Sequence, residues 1–419
     1  MARVRVVCFS LLTLLIVLAP LLRSGKPPLA LLVLESIAVV LFLAVFWWPG
    51  VWATVPKLQR LLVAGLVAVP ALYLVPLPGA VALYLPGREL YAATEALLLG
   101  AMPKGWLPLS AVPVASQGAL LKVLLPVAVF LAASCLQARD LQRLVLLVLA
   151  MAGVQALIGL VQYGAGMQGP NLIASEHANA GNAAGTYSSR NNYAGLMYLA
   201  LMPCMALYLA TLGRLGTRAS GVFRQRFLLW SSLRGQQAVV YGALALLLVL
   251  GAVFSRSRAG IGLTMLGIVV IVVLLSRRIG GKTGISLLGR IFTVVGSIAV
   301  AIGLAPVWQR FSLQDPASDG RWVIFTGVFE AVTQAWPFGL GAGVFRETFF
   351  QWQSGLQASY TINQAHNSYL EWVYDAGLLA VLLIGLGIWI YLRRWATLWI
   401  AGDWGDFRYL QVGAGVGLG

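Results

Sequence analysis

Apolar runs of roughly 17–20 residues recur along this chain, each long enough to cross a hydrocarbon core of about 30 Å as a helix. In hydrocarbon every backbone N–H and C=O must be satisfied within the spanning structure, which leaves helices and closed barrels. No strand-like alternation of polar and apolar residues accompanies the runs, so helices are expected. Composition agrees: 60% of residues are hydrophobic and 10% are charged, which excludes an ordinary soluble domain. The expected fold class is an all-α polytopic membrane protein.

The runs occupy 6–22, 29–48, 61–77, 118–136, 144–163, 193–212, 238–254, 260–275, 291–307 and 369–392. An eleventh starts near Tyr409 and is cut short at "QVGAGVGLG", so a further C-terminal part is expected and about 11–12 spans in all. The opening "MARVRVVCFSLLTLLIVLAPLL" has the basic start of a signal peptide. Its apolar stretch is long for one, and "LRSGK" offers no small-residue cleavage site, so it reads as a retained first span. Cys8, Cys135 and Cys204 fall within the spans, where neither a disulfide nor a thiolate metal site is expected. Repeats, low-complexity tracts and soluble domains are not evident, so residues 1–419 read as one membrane domain.

Lysine and arginine orient the spans, because loops that stay in the cytoplasm carry them in excess. With the N-terminus cytoplasmic, that side holds 18 of the 29 cations and only three acids, Asp140, Asp403 and Asp406. The net charge of +16 therefore follows from topology. The basic loops lack interleaved aromatic platforms, and no nucleic-acid partner is expected. The outer face receives three longer segments, 78–117, 164–192 and 308–368. The last is the largest, and its "RWVIFTGVFEAVTQAWPF" reads as an amphipathic helix along the membrane surface, ended by Trp336-Pro337.

Cations on the outer face run against that bias. Arg190, Arg256, Arg258, Arg310, Arg321 and Arg346 all lie there, and ionisable groups near membrane depth are costly to keep. Any one of them could be an interfacial anchor that snorkels to the headgroups. The pair in "VFSRSRAGIG" is harder to explain so, because the loop is too short to leave the interface. A guanidinium suits bidentate contact with phosphate oxygens. "GTYSSRNNYAGL" (185–196) puts Arg190, Asn191 and Asn192 where the chain enters a span, although an asparagine helix cap followed by an interfacial Tyr193 would give the same pattern. In "PFGLGAGVF" the glycines Gly339, Gly341 and Gly343 follow no strand and are expected to allow a close backbone turn against the helices. His366, at the mouth of the last full span, is the side chain best suited to move a proton near neutral pH, though a histidine can also sit there as a helix cap. The outer acids show no metal-ligand spacing, and no metal or cofactor is expected.

Taken in order, "GTYSSRNNYAGL", "SRSRAG", "DGRW", "PFGLGAGVF" and "AHNSYLEWVYDAGLLAV" resemble the O-antigen ligase and polymerase superfamily of bacterial envelope enzymes. The resemblance spans about residues 185–385. It implies about a dozen helices of the multi-span glycosyltransferase class, with a large periplasmic loop before a late span. It further implies transfer of a glycan from undecaprenyl pyrophosphate to an acceptor at the periplasmic face of the inner membrane. The family's arginine of "SRSR" matches Arg258, with Arg256 beside it; that of "GR" matches Arg321, and the histidine of "HN" matches His366. Many relatives carry a prolyl or histidyl variant where this chain has "SSRNNYAG".

From these residues a metal-independent, inverting transfer onto lipid A–core is expected, with membrane lipids as surroundings. His366 would be the base, Arg258 and Arg256 would hold the pyrophosphate, and Arg190, Arg321, Asn192 and Asn367 would complete the anionic site. His177 is expected to be dispensable. A polymerase, or a protein oligosaccharyltransferase, would use the same motifs. A lipid-linked-glycan transporter is the rival of another class. It should carry ionisable residues or broken helices within its spans, and the spans hold almost none of these apart from Glu35.

Overall fold

Eight of the ten apolar runs become helices long and apolar enough to cross a membrane. They are seen in a computed structural model that describes residues 2–23, 27–48, 50–99, 105–166, 181–216, 231–276, 293, 297, 321–353, 361–400 and 404–419. The chain is a polytopic all-α membrane protein. In order the helices are α1 (Ala2–Leu21), α2 (Pro28–Phe46), α3 (Lys57–Leu72), α4 (Glu89–Leu99), α5 (Pro113–Ser134), α6 (Ala138–Ala165), α7 (Arg190–Gly216), α8 (Leu233–Phe254), α9 (Arg258–Ser276), α10 (Arg321–Ala335), α11 (Phe345–Thr348), α12 (Ser368–Ile400) and α13 (Asp406–Leu418). Apart from residues 293 and 297, the expected span at 291–307 lies outside the described residues, as do His177 and Arg310. The run at 61–77 is shorter than read: α3 stops at Leu72, because Pro76 and Pro78 cannot continue a helix. The chain there forms a three-residue strand, β1 (Pro76–Pro78), antiparallel to β2 (Trp106–Pro108) with Leu77 opposite Leu107. Three-residue strands are too short to show alternation in the sequence.

Contacts gather the chain into two compact units. The first combines Met1–Ile37, Leu136–Leu313 and Trp395–Gly419; the second combines Ala38–Cys135 and Gln314–Arg394.

In the first unit α7 is the centre, with 67% of its span buried against 22–50% for the other seven. Small residues set its neighbours. A Cβ on Gly260 would lie 2.5 Å from Ala194, and one on Gly267 would lie 2.6 Å from Met202. Contacts that advance together along both helices make α7 and α9 parallel, with their N-termini side by side. On α13 the pair Gly413 and Gly417, four residues apart and so on one face, meets Pro203 and Leu199 of α7 in reverse order. This is the small-xxx-small contact by which helices approach closely without a hydrophobic drive in lipid. Arg214 pairs with Asp406 at the far end of that antiparallel pair. Both residues come from loops that the Lys/Arg bias assigns to one face.

Tyr193 is fully buried in this core, where the sequence reading had offered an interfacial ring. Glycine makes the space: a Cβ on Gly251 would lie 2.7 Å from the Tyr193 hydroxyl, and one on Gly159 would overlap it. The hydroxyl itself is buried without a hydrogen-bond partner. Gly251→Ala is therefore expected to cost about 1–3 kcal/mol by overpacking. Tyr193→Phe, which removes an unpaired hydroxyl, is expected to be neutral or stabilising. Adding it should restore most of the loss in the double variant. Thermal unfolding of the four proteins in one detergent checks this, and simple additivity would contradict it.

In the second unit α10 ends at Ala335, one residue before Trp336-Pro337, as the sequence indicated. Its stripe of Ile324, Val328, Ala331 and Ala335 is buried with Phe345, Phe349 and Tyr374. The apolar face read as membrane-seeking is thus spent on protein, while Trp322, Val323 and Phe329 remain exposed.

Candidate active site

The alternation in "SRSR" has a local cause. Ser255 and Ser257 are buried, at 0% and 4% exposure, while Arg256 and Arg258 are partly exposed. The Ser255 hydroxyl donates to Ala252 O (2.6 Å) and accepts from Ser257 N (3.1 Å). Ser257 caps α9 by accepting from Gly260 N (3.2 Å). The serines fold the turn, and both arginine side chains are partly exposed. Arg256 has φ +57°, a left-handed conformation that costs a branched-out side chain of order 1–3 kcal/mol and clusters at functional sites.

The asparagine motif reaches the same turn. Ala183 N donates to Phe254 O (3.0 Å), one residue before Ser255. Two glutamines of α6 pin the segment from below: Gln155 Oε1 accepts from Thr186 N (2.9 Å), and Gln162 Nε2 donates to Gly185 O (2.7 Å). Thr186 also donates to Pro20 O at the end of α1. Ser189, rather than an asparagine, caps α7, with its carbonyl accepting from Tyr193 N (3.1 Å) and its hydroxyl from Asn191 N (3.3 Å). Asn191 and Asn192 are exposed. Arg190 and Arg258 are therefore the first residues of two parallel, adjacent helices, with Arg256 just before the second. Each helix N-terminus adds roughly half a positive charge.

The second unit holds Arg321, His366 and Asn367. Arg321 opens α10. Asn367 caps α12, its Oδ1 accepting from Tyr369 N (3.0 Å) and Leu370 N (3.2 Å). Its oxygen is thus committed to the helix, leaving its amide N–H₂ for any ligand. Glu371 Oε2 accepts from Ala365 N (2.9 Å). Held on both sides, His366 is exposed and has φ +58°. Among the described non-glycine residues with positive φ, Arg23, Arg256 and His366, two were singled out from the sequence for chemistry.

Behind His366, α12 is broken at Gly377, whose φ and ψ are 50° and −127°. The loop 337–343 fills the break. Leu378 N donates to Pro337 O (2.9 Å), while Tyr374 O and Asp375 O accept from Leu340 N (3.3 Å) and Gly341 N (2.8 Å). Tyr73 donates to Phe338 O, Ala111 N to Leu340 O (2.8 Å), and Ser116 to Ala342 O (2.8 Å). Backbone groups freed by a broken helix are thus paired by another stretch of backbone. Gly339, Gly341 and Gly343 all have positive φ, and a Cβ on Gly339 would lie 2.5 Å from Asp375 O. The close turn expected of these glycines is present.

Sequence reading missed three side chains here. Arg88 is 1% exposed and donates to Leu109 O and Leu340 O. Its Nε and Nη1 are buried without hydrogen-bond partners. Burial pushes its guanidinium down to about 10, against the pull of Tyr73 and Tyr91. Lys122 and Asp375 lie within α5 and α12, and with Glu371 they line a cavity of about 690 Å³. The expectation that the spans hold almost no ionisable residue apart from Glu35 is therefore corrected, and the helix break at Gly377 adds to the correction. Counting charged residues span by span would have found Lys122 and Asp375. The break needed the fold.

A family model described as O-antigen ligase matches residues 243–401. Arg256, Arg258, Arg321, His366 and Asn367 fall inside the match; Arg190 and Asn192 precede it. Searches of curated proteins and of solved structures returned no match. The ordered motifs, the helical membrane fold and this match over residues 243–401 all point to the O-antigen ligase superfamily.

Proposed function

We propose that this protein is an O-antigen ligase of the bacterial inner membrane. It moves a glycan from undecaprenyl pyrophosphate to lipid A–core in lipopolysaccharide biosynthesis. The N-terminus is cytoplasmic and the reaction takes place at the periplasmic face. The observation that most supports this reading is the paired start of α7 and α9, where Arg190, Arg256 and Arg258 stand over two helix N-termini in one unit. That arrangement suits a pyrophosphate, which carries its charge on oxygens a guanidinium fork can grip.

In the reaction His366 takes the proton of the acceptor hydroxyl. The oxygen attacks C1 of the sugar as the C1–O bond to pyrophosphate breaks, and the departing undecaprenyl pyrophosphate keeps the electron pair. Attack from the side opposite the leaving group inverts the anomeric centre. Arg258 and Arg256 stabilise the charge that develops on the leaving oxygen, worth about 10²–10³ in rate for one preorganised donor. Arg321, Asn192 and Asn367 complete the polar surround.

Arg258→Ala is expected to lose about 10²–10³-fold in transfer with expression intact. Arg258→Lys should recover little, since one point charge cannot replace a fork. The purified protein is offered donor with lipid A–core, with a second lipid-linked glycan, or with a pilin-like peptide. Product on lipid A–core supports the ligase; product on either alternative identifies a polymerase or a protein glycosyltransferase. Activity should survive EDTA, and a retained anomeric configuration would refute direct displacement. The transporter reading gains from the helix break at Gly377. It loses because the carbonyls freed there, Tyr374 O and Asp375 O, are already taken by Leu340 and Gly341.

A further inference from the structure

Within the second unit the cavity of about 690 Å³ has two chemically different ends. Leu66 and Val69 of α3, Val123 and Pro126 of α5, and Ala380 and Leu383 of α12 form an apolar wall. Asn363, Gln364, Glu371 and Asp375 line the other end, next to the segment that carries His366. Along α12 the polar positions 371 and 375 precede the apolar positions 380 and 383. The break at Gly377 falls between the two pairs, so the polar positions lie on one side of it and the apolar positions on the other. Asp375 is 7% exposed, and its Oδ2 accepts from Gly343 N (2.7 Å).

The charge at the polar end selects among amphiphiles. Glu347, Glu371 and Asp375 face only two cations, Lys122 and Arg346, across the cavity lining. Three carboxyl groups against two cations give no surplus of positive charge for a pyrophosphate. Carboxylates and amides together are the set that accepts from, and donates to, sugar hydroxyls. We infer that this cavity seats the acceptor: a glycolipid whose hydroxyl-rich head lies against Asn363, Gln364, Glu371 and Asp375 and whose chain lies along the apolar wall. The inference rests on the ligase reading for the identity of the reaction, and on the cavity alone for the binding. Asp375 is a positioning residue here, since it also holds the loop amide of Gly343.

The test uses a diazirine-tagged dodecyl maltoside with the full chain in nanodiscs, and maps the crosslinks by mass spectrometry. Labels are expected within 115–126 and 363–372. Lipid A–core should compete, while undecaprenyl pyrophosphate and a plain phospholipid should not. Val123→Trp, which fills the apolar end, and Asp375→Asn should each lower labelling roughly tenfold, as loss of a buried or charged contact predicts. If Asp375→Asn fails to fold, Asn363→Ala, an exposed side chain, tests the same end. Labels spread evenly over the spans, indifference to Val123→Trp, or equal competition by phospholipid would overturn the inference. Labelling does not depend on turnover. Intact labelling without glycan transfer would therefore sink the ligase reading and keep the cavity, and intact transfer without cavity labelling would do the reverse.

Discussion

His366→Ala is expected to lower glycan transfer by about 10²–10⁴-fold, the usual contribution of a positioned general base, and to leave the protein folded. The reason for the second half is local. The start of α12 is capped by Asn367 and braced by Glu371 on Ala365 N, and the exposed imidazole takes no part in either. The positive φ at residue 366 stays strained in the variant, since alanine also carries a Cβ, so any change in stability should be small. The measurement pairs single-turnover transfer with thermal unfolding in the same detergent. A variant that transfers at near the parental rate would remove His366 from the chemistry. A variant that loses activity only in proportion to lost stability would make it a structural residue.

Gly377→Ala should cost more than about 4 kcal/mol, in the range reserved for steric and backbone faults at special positions. Two independent causes act together. The φ of +50° is one that a side chain rarely adopts. A Cβ would also overlap the Pro337 carbonyl, whose acceptance of Leu378 N closes the helix break. The loop has no room to retreat, because Tyr73, Ala111 and Ser116 hold its other carbonyls. Gly339→Val should behave alike, with its Cβ 2.5 Å from Asp375 O. Gly387→Ala, further along the same helix with open space around it, is the control. Its substitution removes backbone entropy and should be neutral or mildly stabilising. Size-exclusion profiles and unfolding temperatures separate the three. A monodisperse Gly377→Ala protein of parental stability would contradict this account of the break.

The sequence by itself determined the class of the protein and most of its spans. Those properties are one-dimensional: a run of apolar residues must cross or be buried whatever its neighbours are. It also marked Arg256, Arg258 and His366, because a cation or imidazole at a span mouth is costly wherever the chain goes next. Motif order then pointed to the superfamily that the match over residues 243–401 supports. What the tertiary structure decided was which residues of each motif face inward. The serines of "SRSR" and Tyr193 of "SSRNNY" proved to be packing and capping groups, since burial depends on the approach of α6, α7 and α8, which no local pattern encodes. Only the fold could reveal the use of Gly339 and Gly377, which meet across 38 residues of chain because a loop replaces the hydrogen bonds of a broken helix. The burial of Arg88 and Asp375, and the unpaired atoms of Arg88, come from the same packing.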